Sequence, residues 1–169
     1  MQQTYSQYFA SVIQRLPDAA AVLHGVPDGP NIEGTVSFYQ TPQGTLVTAA
    51  VRGFPVTRMA CALPIFALHI HEGNSCAGSA SAPFSGAGAH YNPGSCPHPY
   101  HAGDLPPLFV DSSGFAWMAV LTGRFRVSDV IGRTVVIHDK PDDFTTQPAG
   151  NAGGRLACGL ITAVQRGRN

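Results

Sequence analysis

Charge is scarce in this sequence. Only 12% of its 169 residues are charged, ten basic against ten acidic. A chain so weakly charged and neutral overall offers no basic field for nucleic acid and no disordered acidic tail. Long apolar runs are missing too; none approaches the roughly 20 residues that span a bilayer. The four cysteines, Cys61, Cys76, Cys96 and Cys158, include no C-x-x-C pair, which argues against a zinc site built from thiolates. The opening segment "MQQTYSQYFASVIQRLPDAA" has no basic stretch ahead of an apolar core, so it does not read as a secretory leader. As it stands the chain reads as cytoplasmic, or as periplasmic or extracellular with a leader removed.

Segments of helical period are few, whereas glycine (19) and proline (14) are plentiful. That balance points to an all-β domain of short strands joined by turns. The one helical pattern is at the start. Tyr8, Phe9, Val12, Ile13 and Leu16 recur at helical spacing until Pro17 ends the run, a short amphipathic extension over residues 1–18 that packs on the domain or on a partner. From residue 19 to 169 a single domain follows. "AAAVLHGV", "IEGTVSFYQ" and "TLVTAAVRGF" read as strands of an antiparallel meander, separated by "DGP" and "TPQG" turns. Further strands are expected at "IFALHIH", on both sides of "DSSG" in "LFVDSSGFAWMAVLT", at "RTVVIHD" and at "LACGLITAVQ". Between them lie two irregular stretches, residues 73–107 and "KPDDFTTQPAGNAGG". Loops of that length inside a compact domain are uncommon unless they serve function or are tied down.

The histidines fall at strand ends or in these loops. In a strand, residues i and i+2 share a face about 7 Å apart, so His69 and His71 of "LHIHEGNSCAG" point the same way. Alone, such a pair equally fits two polar positions on a solvated face. Six of the seven histidines lie within 69–138, however, and only His24, beside "GVPDGP", stands apart as a surface residue. "HYNPGSCPHPYHAGD" brings His90, His98, His101 and Asp104 close in sequence, and three imidazoles with one carboxylate make the tetrahedral set that Zn²⁺ takes. His138 ends a strand. A cluster of imidazoles without thiolates suits copper, zinc or nickel.

The pieces "HIHEGNSCAG", "GAHYNP", "HAGDL", "GRTVVIHDKPDD" and "GNAGGRLACGLI", in that order, give the chain a resemblance to the copper/zinc superoxide dismutases. "VLHGVPDGPNIEGTVSFYQ" is similar to the first hairpin of that family, and the resemblance covers roughly residues 20 to 166. It implies an eight-stranded antiparallel Greek-key β-barrel with two long functional loops. It implies copper at His69, His71, His90 and His138, and zinc at His90, His98, His101 and Asp104, with the His90 imidazole shared. Arg155 matches the family's anion-guiding arginine; an arginine bonded to a carbonyl or carboxylate for structure is the other reading, and the two are compatible. Asp142 matches the carboxylate that joins non-ligating nitrogens of His69 and His98, although Asp143 is adjacent. Cys76 and Cys158 match the family's disulfide, which favours an oxidising compartment. Cys61 and Cys96 are additions, either a second disulfide or two buried thiols.

The implied activity is disproportionation of superoxide to O₂ and hydrogen peroxide, which needs a metal with two accessible oxidation states. Copper provides this and zinc does not. His90 and Arg155 are the implied catalytic residues. A metal-binding module without turnover, for storage or maturation, is the alternative; it would need neither Arg155 nor a complete bridging set. The loop after Asp143 is shorter than in eukaryotic members and lacks their glutamate and lysine residues, a pattern that resembles bacterial members. These departures leave the strength of substrate steering, and assembly as a homodimer, open.

Overall fold

The computed structural model describes residues 4–56 and 64–165. Helix α1 (Tyr5–Ile13) opens with a capping box: Thr4 accepts from the Gln7 N–H while the Gln7 side chain returns to the Thr4 N–H. It is followed by β1 (Ala19–Gly25), β2 (Glu33–Thr41), β3 (Gly44–Arg52), β4 (Ile65–Phe66), β5 (Leu68–His71), β6 (Leu108–Phe109), β7 (Phe115–Thr122), a four-residue helix α2 (Val127–Val130), β8 (Thr134–His138) and β9 (Arg155–Ala163).

Seven strands form one antiparallel sheet in the order β5-β8-β9-β1-β2-β3-β7, and β4 pairs with β6. The small pair closes the structure. Only Ala67 separates β4 from the edge strand β5, and a turn at Asp111 joins β6 to the other edge strand, β7. Counting β4 and β5 as one bent strand gives the eight of a Greek-key barrel. The non-sequential neighbours β5-β8 and β3-β7 are the crossovers that make it a Greek key rather than a meander.

Alternation places Leu23, Val36, Phe38, Val47, Leu68, Ile70, Ile137 and Ile161 in one core, all with no accessible surface. Each such side chain contributes on the order of 1.5–3 kcal/mol by leaving water. β5 carries the consequence for function. Leu68 and Ile70 face the core, so His69 and His71 face outward, yet they too are buried. What covers them is the stretch after β5. Ile70 N–H donates to Gly103 O, Tyr91 N–H donates to Ile70 O, and bridges join His69 to Asp104 and His71 to His90. A loop that could not fold alone is thereby stitched to the barrel wall. Cys76 and Cys158 are disulfide-bonded and pin the same stretch to β9.

Helix α1 ends at Ile13, short of Leu16, which is exposed. It lays Val12 on Tyr39 and Leu46, with Tyr8 and Phe9 packed alongside. Arg15 fastens it by donating to Gln40 O at 2.8 Å and to Asp18 at 3.1 Å. The helical extension thus packs on the barrel itself. His24 is exposed on β1, as expected. Of the two added cysteines, Cys61 lies outside the described residues, and Cys96 has a free thiol that is exposed rather than buried.

Candidate metal centre

Two groups of ligand atoms form where the loops meet β5 and β8. His69, His71, His90 and His138 bring four ring nitrogens within 4.8 Å of one another, and His90, His98, His101 and Asp104 bring three nitrogens and a carboxylate oxygen equally close. All seven side chains are buried. His90 belongs to both groups, its ring centroid 4.0 Å from that of His69.

The hydrogen bonds decide which nitrogen of each ring is free. His69 Nε2–H donates to Asp142 Oδ2 at 2.8 Å, leaving Nδ1 for the cluster. His71 Nδ1–H donates to Gly88 O at 2.9 Å, leaving Nε2, which lies 3.2 Å from His138 Nε2. His138 Nδ1 faces Gly153 O at 3.4 Å. In the second group His98 Nε2–H donates to Asp142 Oδ1 at 2.8 Å. His90 Nδ1 lies 2.8 Å from Asp104 Oδ1, which leaves its Nε2 free.

Four buried nitrogens then have no hydrogen-bond partner: His69 Nδ1, His90 Nε2, His98 Nδ1 and His101 Nδ1. Such groups are costly unless something satisfies them. His98 Nδ1 and His101 Nδ1 crowd the same oxygen, Asp104 Oδ2, at 3.0 and 3.3 Å without hydrogen-bond geometry. Lone pairs converging on one point are what a cation needs. The three-imidazole, one-carboxylate group fits zinc and the four-imidazole group fits copper.

Burial also sets the protonation states. It pushes His71 down to about 2, with the charges of His90, His138 and Arg155 adding, and His138 down to about 3 in the same way. Burial lowers His69 as well, more than its bond to Asp142 raises it. Neutral imidazoles are the form that ligates metal. Burial would raise the Asp142 carboxyl, but the bonds from His69, Phe144 N–H and His98 outweigh it and hold Asp142 well below the usual carboxylate range. Burial would raise Asp104 as well, but the bond to His90 together with the charges of His90, His101 and His69 outweighs it and lowers the carboxyl.

The two neighbouring aspartates turn different ways. Asp142 turns inward and joins His69 to His98. Asp143 points out and caps its own loop, accepting from Thr145 and Thr146. Arg155 sits opposite His138 in the β8–β9 pairing. Its guanidinium donates to Phe84 O and, at 2.5 Å, to Gly88 O, the carbonyl that also receives His71. Sequence reasoning missed these backbone acceptors, and also Gln147, whose side chain clasps His98 N–H and C=O at 2.9 and 2.7 Å. Carbonyls carry no side-chain signal; the glycine of "GAHYNP" was the nearest hint.

An antiparallel Greek-key barrel bearing two metal-ligand groups that share one imidazole defines a binuclear metalloprotein. The chain belongs to the copper/zinc superoxide dismutase family, whose sequence profile matches residues 32–161. It is 37% identical over 150 residues to a Cu-Zn superoxide dismutase of Deinococcus radiodurans, covering 79% of each chain. It is 32% identical over 151 residues to that of Legionella pneumophila, covering 85% of this chain and 86% of the relative. Its structure is similar to the Cu/Zn superoxide dismutase of Brucella abortus, with a TM-score of 0.69 and 26% identity over 84% of this chain and 98% of the other. No helix among the described residues is long and apolar enough to cross a membrane.

Proposed function

We propose that this protein disproportionates superoxide, two superoxide anions and two protons giving O₂ and hydrogen peroxide. In this reading His69, His71, His90 and His138 hold copper, and His90, His98, His101 and Asp104 hold zinc. The observation that carries it is His90, a single buried ring common to both ligand groups. Bound copper supplies the one-electron redox change that superoxide requires, and bound zinc keeps its charge while fixing the shared ring.

The chain's own residues do the rest. Asp142 fixes the ring planes of His69 and His98, so both groups are preorganised together. Gly88 O and the Gly153 carbonyl orient His71 and His138. Arg155 is half-buried, and its charge is felt at both His71 and His138. A guanidinium there attracts an anion to the copper side. Its bonds to Phe84 and Gly88 keep it in place, so the structural and guiding roles coincide. His90 Nε2 is buried, so a proton placed there is sheltered from bulk water and available to the peroxide product. A metal store needs no charge of this kind beside its ligands, which favours turnover.

The test is pulse radiolysis of protein loaded with both metals, alongside His138→Ala. His138 belongs only to the four-histidine group. The variant should keep about one zinc per chain and lose more than nine-tenths of the dismutation rate. A fully metallated His138→Ala protein that retained more than a tenth of the rate would overturn the copper assignment.

A further inference from the structure

We propose that Gln147 is a positioning residue of the second ligand group, its side-chain amide holding the backbone of His98 where zinc needs it. The proposal rests on the zinc reading above and adds to it a residue that binds no metal itself.

The observation is an asymmetry among the four ligands. His90 is bridged to His71 and Asp104 to His69, so β5 holds both backbones. His101 N–H donates to Asp104 Oδ2 at 3.1 Å. Arg124, in the turn after β7, donates to His101 O at 3.1 Å and to Asp104 O at 3.4 Å. Three of the four ligands are thus fastened to the barrel wall, directly or through a neighbour. His98 is not; Arg124 reaches the next carbonyl, Pro99 O, at 3.3 Å but not His98 itself. His98 belongs to "SCPHPY", with proline on both sides. Proline has no N–H, so His98 carries the one backbone donor of residues 97–99. Among the described residues no backbone group accepts from that N–H or donates to the His98 carbonyl. Yet the residue is only 3% accessible, and an unpaired backbone group is costly there.

Gln147 supplies both missing partners. Its Oε1 accepts from His98 N–H at 2.9 Å, and its Nε2–H donates to His98 O at 2.7 Å. A neighbouring antiparallel strand would exchange the same two bonds with a residue opposite. One side chain here replaces the strand that His98 lacks. The residue type follows from the task. A side-chain amide carries a carbonyl acceptor and an N–H donor on one plane. Asparagine would fall one methylene short. Glutamate lacks the donor and would set oxygen against oxygen at His98 O. Methionine has similar length and offers neither bond.

Gln147 is aimed by its own loop. Gly150 N–H closes a turn onto Thr146 O at 2.7 Å, and Asp143 N–H donates to Gly150 O at 2.9 Å. The same loop carries Asp142, whose Oδ1 accepts from the His98 ring at 2.8 Å. His98 is therefore gripped twice from one loop, at the ring by Asp142 and at the backbone by Gln147. The two grips differ in reach. Asp142 also holds His69, so it acts on both ligand groups. The Gln147 side chain bonds to His98 alone, so it acts on the zinc group alone. A ring held only at its far nitrogen still swings when its Cα moves. Held at both places, His98 keeps Nδ1 directed at the group, 3.0 Å from Asp104 Oδ2. Without the clasp His98 strays from the group, and a metal that has lost one ligand leaves faster.

Gln147 is exposed on its solvent side, so substitutions there leave the barrel core untouched. The test compares wild type with Gln147→Met and Gln147→Glu, each loaded with zinc and copper, by the rate at which a chelator strips each metal. Both variants should release zinc about 10-fold faster, the low end of what residues that orient ligands contribute to metal affinity. Copper release should be unchanged. Cobalt(II) bound in place of zinc should give visible bands of altered shape in Gln147→Met, because those bands report ligand geometry. Zinc released at the wild-type rate from both variants would overturn the proposal, and so would equal acceleration of zinc and copper. A lowered urea midpoint of the metal-free variants, with the cobalt bands and the zinc-to-copper ratio of rates unmoved, would make Gln147 merely structural and also overturn it. A wild type that holds no zinc would overturn the zinc reading itself. A wild type that holds zinc tightly beside an unaffected Gln147→Met would overturn the role of Gln147 alone.

Discussion

Replacing Asp142 with asparagine isolates the contact that ties the two ligand groups together. Asp142 is buried, and its two oxygens accept from His69 Nε2–H and His98 Nε2–H, each at 2.8 Å; Oδ1 also accepts from Phe144 N–H at 2.7 Å. Asparagine has one acceptor oxygen. Whichever way its amide turns, its NH₂ meets a ring N–H, donor against donor, in a buried site. One charge-assisted bond is lost, worth about 1.5–3 kcal/mol. That matches the 10 to 100-fold in metal affinity by which such outer carboxylates are known to act. The two metals should suffer unequally. His69 is in β5 and paired to Val136 of β8, so the strand holds its backbone whatever happens at the ring. His98 lies in a loop, its backbone clasped by the Gln147 side chain rather than by a strand. Competitive chelator titration should therefore show zinc weakened 10 to 100-fold and copper by less. Asp143→Asn, which touches only the loop's own threonines, should leave both metals unchanged. Unchanged zinc affinity in Asp142→Asn, or an equal loss in Asp143→Asn, would refute the reasoning.

Gly150→Ala should reproduce the zinc defect from the other side. Its φ is +64°, and a Cβ would lie 1.9 Å from Asp142 Oδ1 and 2.7 Å from His98 Nε2, so Asp142 must move; chelator titration of zinc reads this out, and zinc binding as tight as wild type would count against the bridge. Arg155→Glu should slow superoxide dismutation at least about 10-fold at low salt, and Arg155→Lys by less, with copper content unchanged. Added salt should slow the wild type and the lysine variant and leave the glutamate variant flat or faster; rates of all three falling together would remove the guiding role. The metal-free protein should be sensitive to mild acid. His71 and His138 sit at about 2 and 3 in the folded chain against 6.5 when unfolded, so as pH falls below 6.5 the unfolded chain takes up protons first. Their contribution is complete above about pH 6.5 and each is lost at roughly 1.4 kcal/mol per pH unit down toward pH 3. Urea midpoints of the apoprotein at pH 8, 6, 5 and 4 should fall steadily; equal midpoints at pH 8 and 5 would contradict this.

The sequence alone determined the parts whose signal is local. Period-two spacing made His69 and His71 face together, turn residues separated the first three strands, and the order of histidine-bearing motifs marked the ligand groups and the family. Helix α1 was legible from its periodicity, although Leu16 continued the pattern past the end of the helix. What the tertiary structure decided depends on chain segments far apart. Asp142 and Asp143 are chemically identical neighbours, and only the fold of the 139–154 loop turns one toward His69 and His98 and the other toward Thr146. The anchors at Gly88, Gly153 and Phe84 are carbonyls, which every residue has, so no residue type could announce them. The barrel closes through a two-residue pair, β4 with β6, too short for any periodicity to mark. The partnership of Gln147 with His98 has no sequence counterpart at all. The two lie 49 residues apart in separate loops, and only the packing of one loop on the other sets the amide of Gln147 against the backbone of His98.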